Sequence, residues 1–158
     1  MVAASNNMYF DWKFSSVVLV AHTRANPEPA TWSAMCRSMQ ALRASSFGTL
    51  VFTDGGGPNS AQRGELEEAT QDKVHRVSVV SGAAGPRFIV SSMSLFNPTI
   101  QAFAPPQLKA ALKHLGLSEP EGRQLAKAMQ PFVAGAAAQR FETLVNAFGN
   151  QALDQTGA

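Results

Sequence analysis

Asp54 ends an apolar segment, Thr49-Leu50-Val51-Phe52-Thr53. It is followed by Gly55-Gly56-Gly57-Pro58 and then by Asn59, Ser60, Gln62 and Arg63. A carboxylate at a strand end can take a phosphoryl group, cap backbone amides or meet a partner. A helix opening just after it presents unpaired amide donors to any anion. Arg63 belongs to that opening. Arg87, in the loop after the next parallel strand, would lie beside it and extend a positive rim. Three consecutive glycines cost backbone entropy on folding. Their presence implies positive φ, close approach of another backbone, or a loop that moves. Asp54, Gly55, Gly56, Asn59, Ser60, Arg63 and Arg87 are therefore the candidate partner- or anion-binding residues, with residues 54–63 as the working surface.

Other chemistries find no residues to carry them. The glycine run lacks dinucleotide-fingerprint spacing, and no Lys-Ser/Thr pair follows it as in a phosphate-binding loop. His22, His75 and His114 show no metal-ligand spacing, and none lies near Cys36 in sequence. Cys36, the single cysteine, falls on the apolar stripe of a helix, where a thiol acts as a small hydrophobe. No nucleophile elbow, Ser-x-x-Lys or His-Glu-x-x-His occurs. No catalytic residue, metal site or cofactor is expected, and hence no enzymatic activity.

Composition narrows the partners. Net charge is +2, with Lys and Arg scattered; without a basic stripe or clustered aromatics, nucleic acid is not an expected ligand. The opening residues 1–7 lack a basic start and a long apolar run, so no signal peptide is read there. The longest apolar run, residues 17–21, is far short of the roughly 20 residues a membrane span needs. A soluble, cytoplasmic protein with no membrane partner is the expectation.

The elements that must position the loop follow from periodicity. Residues 8–13 and 17–22 read as a hairpin turning at Phe14-Ser15-Ser16. Trp32, Met35, Cys36, Met39 and Leu42 make the stripe of a helix opened by Pro27 and Pro29. Residues 50–52 read as a buried parallel strand. Asn59 with Gln62 resembles a capping box, so a helix starts near Ser60 and runs to about Asp72, acidic at Glu65, Glu67, Glu68 and Asp72. A strand at 77–80, a helix from Pro86 carrying Ile89, Met93 and Phe96, and a strand at 99–103 follow. A helix with Leu108, Ala111, Leu112 and Leu115 is closed by Gly116. Beyond 117 only helix is expected, with Leu125, Met129, Phe132, Phe141, Leu144 and Phe148 as its apolar stripe and Pro131 as a break. That stripe packs on the sheet or on a second copy; a homodimer is the preferred outcome. Residues 150–158 read as a frayed end.

This order, β-β-α-β-α-β-α-β-α, predicts an α/β fold with a mixed, mostly parallel sheet. Over residues 8–117 it resembles the STAS domains, the SpoIIAA-like anti-sigma-factor antagonists of bacteria. The opening hairpin, the segment from Leu50 to Asp54 and the closing Phe103-Ala-Pro-Pro-Gln-Leu-Lys-Ala-Ala-Leu carry the resemblance. It implies a STAS-like domain over 1–117 with a C-terminal helical extension over 118–158. It also implies a regulatory, protein-binding role through the loop and helix after the third strand, with an anti-sigma-factor-like kinase as partner. In that family the loop carries an Asp-Ser-Ser-Gly type motif whose serine is phosphorylated. Asp54 matches its aspartate, but Gly55 and Gly56 stand where the serines would; Ser60 can replace them only in a remodelled loop. Receiver-type phosphorylation of Asp54 needs an acidic pair to hold magnesium after an earlier strand. His22, Thr23 and Arg24 stand there instead. Capping of turn amides by Asp54, and a small-molecule, nucleotide or anion site on the same face, remain the alternatives.

Overall fold

The computed structural model describes residues 2–14, 16–86 and 99–149. Six strands form one sheet in sequential order: β1 (Val2–Ala4), β2 (Met8–Lys13), β3 (Val17–His22), β4 (Ser46–Thr53), β5 (Val74–Ser81) and β6 (Ile100–Phe103). β1, β2 and β3 are an antiparallel meander, and β3 to β6 run parallel. The α/β class and the mostly parallel sheet agree with the sequence reading. β1 was not foreseen: three residues are too few to show an alternating pattern. The strand ahead of the glycine loop is consequently the fourth.

The hairpin turns where expected, with Phe14 at φ 54°. Helix α1 (Pro29–Gln40) buries Trp32, Met35, Cys36 and Met39, and α2 (Ser60–Thr70) lies against it. Both cover one face of the sheet, over Met8, Phe10, Val18, Val20 and Phe47. This is where same-handed crossovers between sequential parallel strands must put them. The expected helix with Ile89, Met93 and Phe96 lies outside the described residues.

The last third of the chain covers the opposite face. Helices α3 (Leu108–His114), α4 (Glu119–Ala134) and α5 (Glu142–Gly149) bring Leu108, Leu125, Met129, Leu144 and Phe148 onto Tyr9, Leu19, Leu50, Phe52 and Val80. With both faces covered, β3 is buried at all six positions, which is why it reads as an unbroken apolar run. Ser78 Oγ donates to Ala111 O at 2.7 Å and ties α3 to β5. Gly116, at φ 83°, closes α3; Leu117 N bonds Leu112 O and Gly116 N bonds Lys113 O, the two bonds of a Schellman motif.

The C-terminal stripe is thus spent on the chain's own sheet, and the argument from that stripe for a homodimer loses its basis. Pro131 does not break its helix: α4 continues to Ala134. The proline sits in the last turn, so the single intrahelical bond it forfeits lies at an end that stops at Gly135 in any case. Among the described residues no helix is long and apolar enough to cross a membrane.

Candidate functional site

β4 delivers Asp54 to the carboxyl edge of the sheet, and there the structure uses its carboxylate. Oδ2 accepts from the backbone N–H of Glu142 at 3.0 Å and Oδ1 from that of Thr143 at 2.7 Å. These are the first amides of α5, whose own first internal bond is Val145 N to Phe141 O. The residue before α5 is Phe141, which has no side-chain acceptor. Asp54 supplies the missing cap from 88 positions upstream, where a negative charge also meets the positive end of the helix. Thr143 Oγ1 donates to Thr53 O at 3.0 Å, Ser81 Oγ donates to the same carbonyl at 2.8 Å, and Asp54 N bonds His22 O. The expected capping role is therefore right in kind, but the amides come from a distant helix and not from the turn.

The glycine loop is fixed. Gly55 has φ 135°, a conformation that L side chains resist. At Gly56 an added Cβ would stand 2.1 Å from Ala25 O and 2.5 Å from Thr23 O, while its N–H bonds Thr23 O at 2.8 Å. Thr53 Oγ1 donates to Gly56 O, and Asn26 Nδ2 donates to Gly57 O at 2.7 Å. The loops after β3 and β4 are zipped together. Two of the three glycines answer to strain and close approach, and the moving-loop reading is set aside. Gly57 shows neither feature.

The helix start after the loop is likewise occupied by its own side chains. Asn59 Oδ1 accepts from Gln62 N at 2.9 Å, and Gln62 Oε1 accepts from Asn59 N at 3.0 Å, completing the expected capping box. Gln62 is buried, its side-chain Nε2 donating to Pro27 O and its backbone carbonyl accepting from Trp32 Nε1. Arg63 folds back onto Pro58 O and Ser60 Oγ, both at 3.1 Å, and does not pair with Glu67. What remains open is a rim: Arg24, Ala25, Gly55, Ser60, Ala61 and Arg63 are exposed side by side at the carboxyl edge. Arg87 lies outside the described residues, so it is not part of the arrangement described.

Of the histidines, His22 is buried at this edge, whereas His75 is half-buried at the opposite, amino end of the parallel strands. His22, at the end of β3, packs 6.1 Å from the Trp32 ring, and its Nδ1 has no partner among the described residues. Burial pushes its pKa down to about 4, so it is neutral at physiological pH. His75 stacks on Phe47 at 4.2 Å and contacts Thr49 Oγ1, and burial likewise brings it to about 4. Cys36 is buried, with its thiol pushed up to about 12, chiefly by burial. Among the described residues no group of three His, Cys, Asp or Glu could hold a metal ion.

In open α/β sheets a ligand crevice arises where the strand order reverses and neighbouring loops splay apart. Here the order β3-β4-β5-β6 does not reverse, and α5 is latched over the end of β4. Three clefts, of about 620, 280 and 240 Å³, contain no residue of 54–63. No family model matches the chain, and neither a curated protein nor a solved structure similar to it was found.

Proposed function

We propose that this chain is a non-enzymatic regulatory domain of the STAS type that docks a protein partner through the exposed rim of residues 55–63 and the abutting loop 24–26. The observation that carries the reading is the distribution of polar groups around Asp54. Its carboxylate, both polar atoms of the Gln62 amide and the Asn59 oxygen are all engaged within the fold. What is left outside is a pinned, polar surface, better suited to contact than to turnover. The resemblance in element order adds an anti-sigma-factor-like kinase as the class of partner and the cytoplasm as the place. Ser60 is the exposed hydroxyl of the rim, and Arg63 lies within 3.1 Å to meet a phosphate placed on it.

The test is quantitative capture of partners from the native host, comparing the natural chain with the double variant Ala61→Arg, Arg63→Glu. Both positions are exposed, so melting should be unchanged. A partner captured by the natural chain and lost by the double variant is the expected result. A partner set indifferent to the two substitutions would overturn the reading. Saturable shifts of the Ser60 and Ala61 amides in inorganic phosphate, with no protein captured, would favour the anion-binding alternative.

A further inference from the structure

The largest of the three clefts, about 620 Å³, lies far along the chain from the rim, between α3 and the first turns of α4. Its size falls within the range of small-ligand sites. The floor is apolar: Leu112 is buried, and Leu117 packs against the core beside it. Gly122, in the first turn of α4, is buried and lets α4 pack closely on Leu112, since an added Cβ would approach Leu112 Cδ1 to 3.3 Å.

Charge is distributed unevenly around this floor. Lys109 and Lys113 stand four residues apart on one face of α3, and Arg123 faces them from α4. The single lining carboxylate, Glu119, lies 3.3 Å from Lys109 Nζ and 4.0 Å from Arg123 Nη1. Lys113 has no ion pair among the described residues. An apolar slot rimmed by excess positive charge matches a molecule with an anionic head and a hydrocarbon body. It does not match a fully polar anion, which would leave the floor unused, or a neutral hydrocarbon, which would leave the rim unused.

We propose that this cleft binds a single-chain anionic amphiphile, with its carboxylate on Lys113 between Lys109 and Arg123 and its tail along the apolar floor at Leu112 and Leu117. The test is titration calorimetry with monomeric laurate, set against dodecyl maltoside as an uncharged head on the same tail. Laurate should bind at one site and more tightly than the maltoside. Lys113→Glu should weaken laurate by about tenfold or more, as loss of a charged contact does, and leave the maltoside unchanged. Ala110→Trp, at an exposed position lining the cleft, should block laurate without altering charge. Raising the ionic strength should weaken laurate for the unaltered protein, whatever the variants' stability. No saturable laurate binding, equal affinity for the two amphiphiles, or laurate affinity untouched by Lys113→Glu would overturn the proposal.

Discussion

Replacing Asp54 by alanine removes two acceptors at once from the amino end of α5. Three quantities set the size of the effect. Loss of a side-chain cap costs about 0.5–2 kcal/mol. Bonds to a charged acceptor are stronger than neutral ones. Solvent can partly replace the carboxylate, because Glu142 is exposed, whereas Thr143 is buried and less easily rehydrated. Together these give about 2 kcal/mol for Asp54→Ala. That corresponds to a fall of roughly 4–8 °C in Tm for a chain of this length. Asp54→Asn keeps one acceptor oxygen and should lose about half as much. α5 is only eight residues long and cannot persist as an isolated helix, so its protection depends on this latch and on the burial of Leu144 and Phe148. Thermal and urea melting give the total, and amide hydrogen exchange locates it. Residues 143–148 should lose protection selectively in Asp54→Ala while α1 keeps its own. Unchanged melting, or a loss of protection spread evenly over the fold, would refute the capping role and return Asp54 to the list of free surface carboxylates.

Gly56→Ala should destabilise by at least about 3 kcal/mol, because its Cβ meets backbone at 2.1 Å and cannot be relieved by rotating a side chain; Gly57→Ala, in open space, should be neutral or stabilise by up to about 1 kcal/mol, both read from urea midpoints. His22 and His75 have pKa values lowered to about 4 in the fold against 6.5 unfolded, so the unfolded chain binds the extra protons. Stability should therefore be level above pH 6.5 and fall as pH drops from 6.5 towards 4, by about 3 kcal/mol for His22 alone. His22→Phe should flatten part of that slope in pH-dependent melting. Cys36 should resist maleimide in the folded protein and react at the rate of unfolding; rapid native-state labelling would contradict its burial.

The elements that declared themselves in sequence did so through local physics. The α1 stripe, the Asn59–Gln62 box and the Gly116 stop each rest on interactions within a few residues, so their pattern survives in one dimension. The role of Asp54 does not. Its partners stand 88 and 89 positions away, and the one local clue, an uncapped helix start after Phe141, points to a vacancy without saying who fills it. Gly56 is similar: a glycine run announces unusual backbone, and only the neighbouring loop shows that Ala25 O is the reason. The capping role of Gln62 was legible locally, but its burial was not, because that rests on bonds to Pro27 O and Trp32 Nε1, 35 and 30 positions away. Pro131 misled because the cost of proline depends on how much helix remains beyond it.

The placement of α3, α4 and α5 has a consequence for biosynthesis. One face of the sheet is closed by α1 and α2, segments interleaved with the strands, so that side can assemble as the strands appear. Among the described residues, the other face is closed by residues 108–149. A chain still on the ribosome with β1 to β5 already extruded therefore displays Tyr9, Leu19, Leu50, Phe52 and Val80 as a bare apolar plane. Asp54 meanwhile waits for amides that have not been made. Translation at about 5–20 residues per second leaves that plane open for seconds, far longer than hydrophobic collapse takes. Yield in the cell should therefore depend on whatever shields nascent apolar surface more than the stability of the finished fold would indicate.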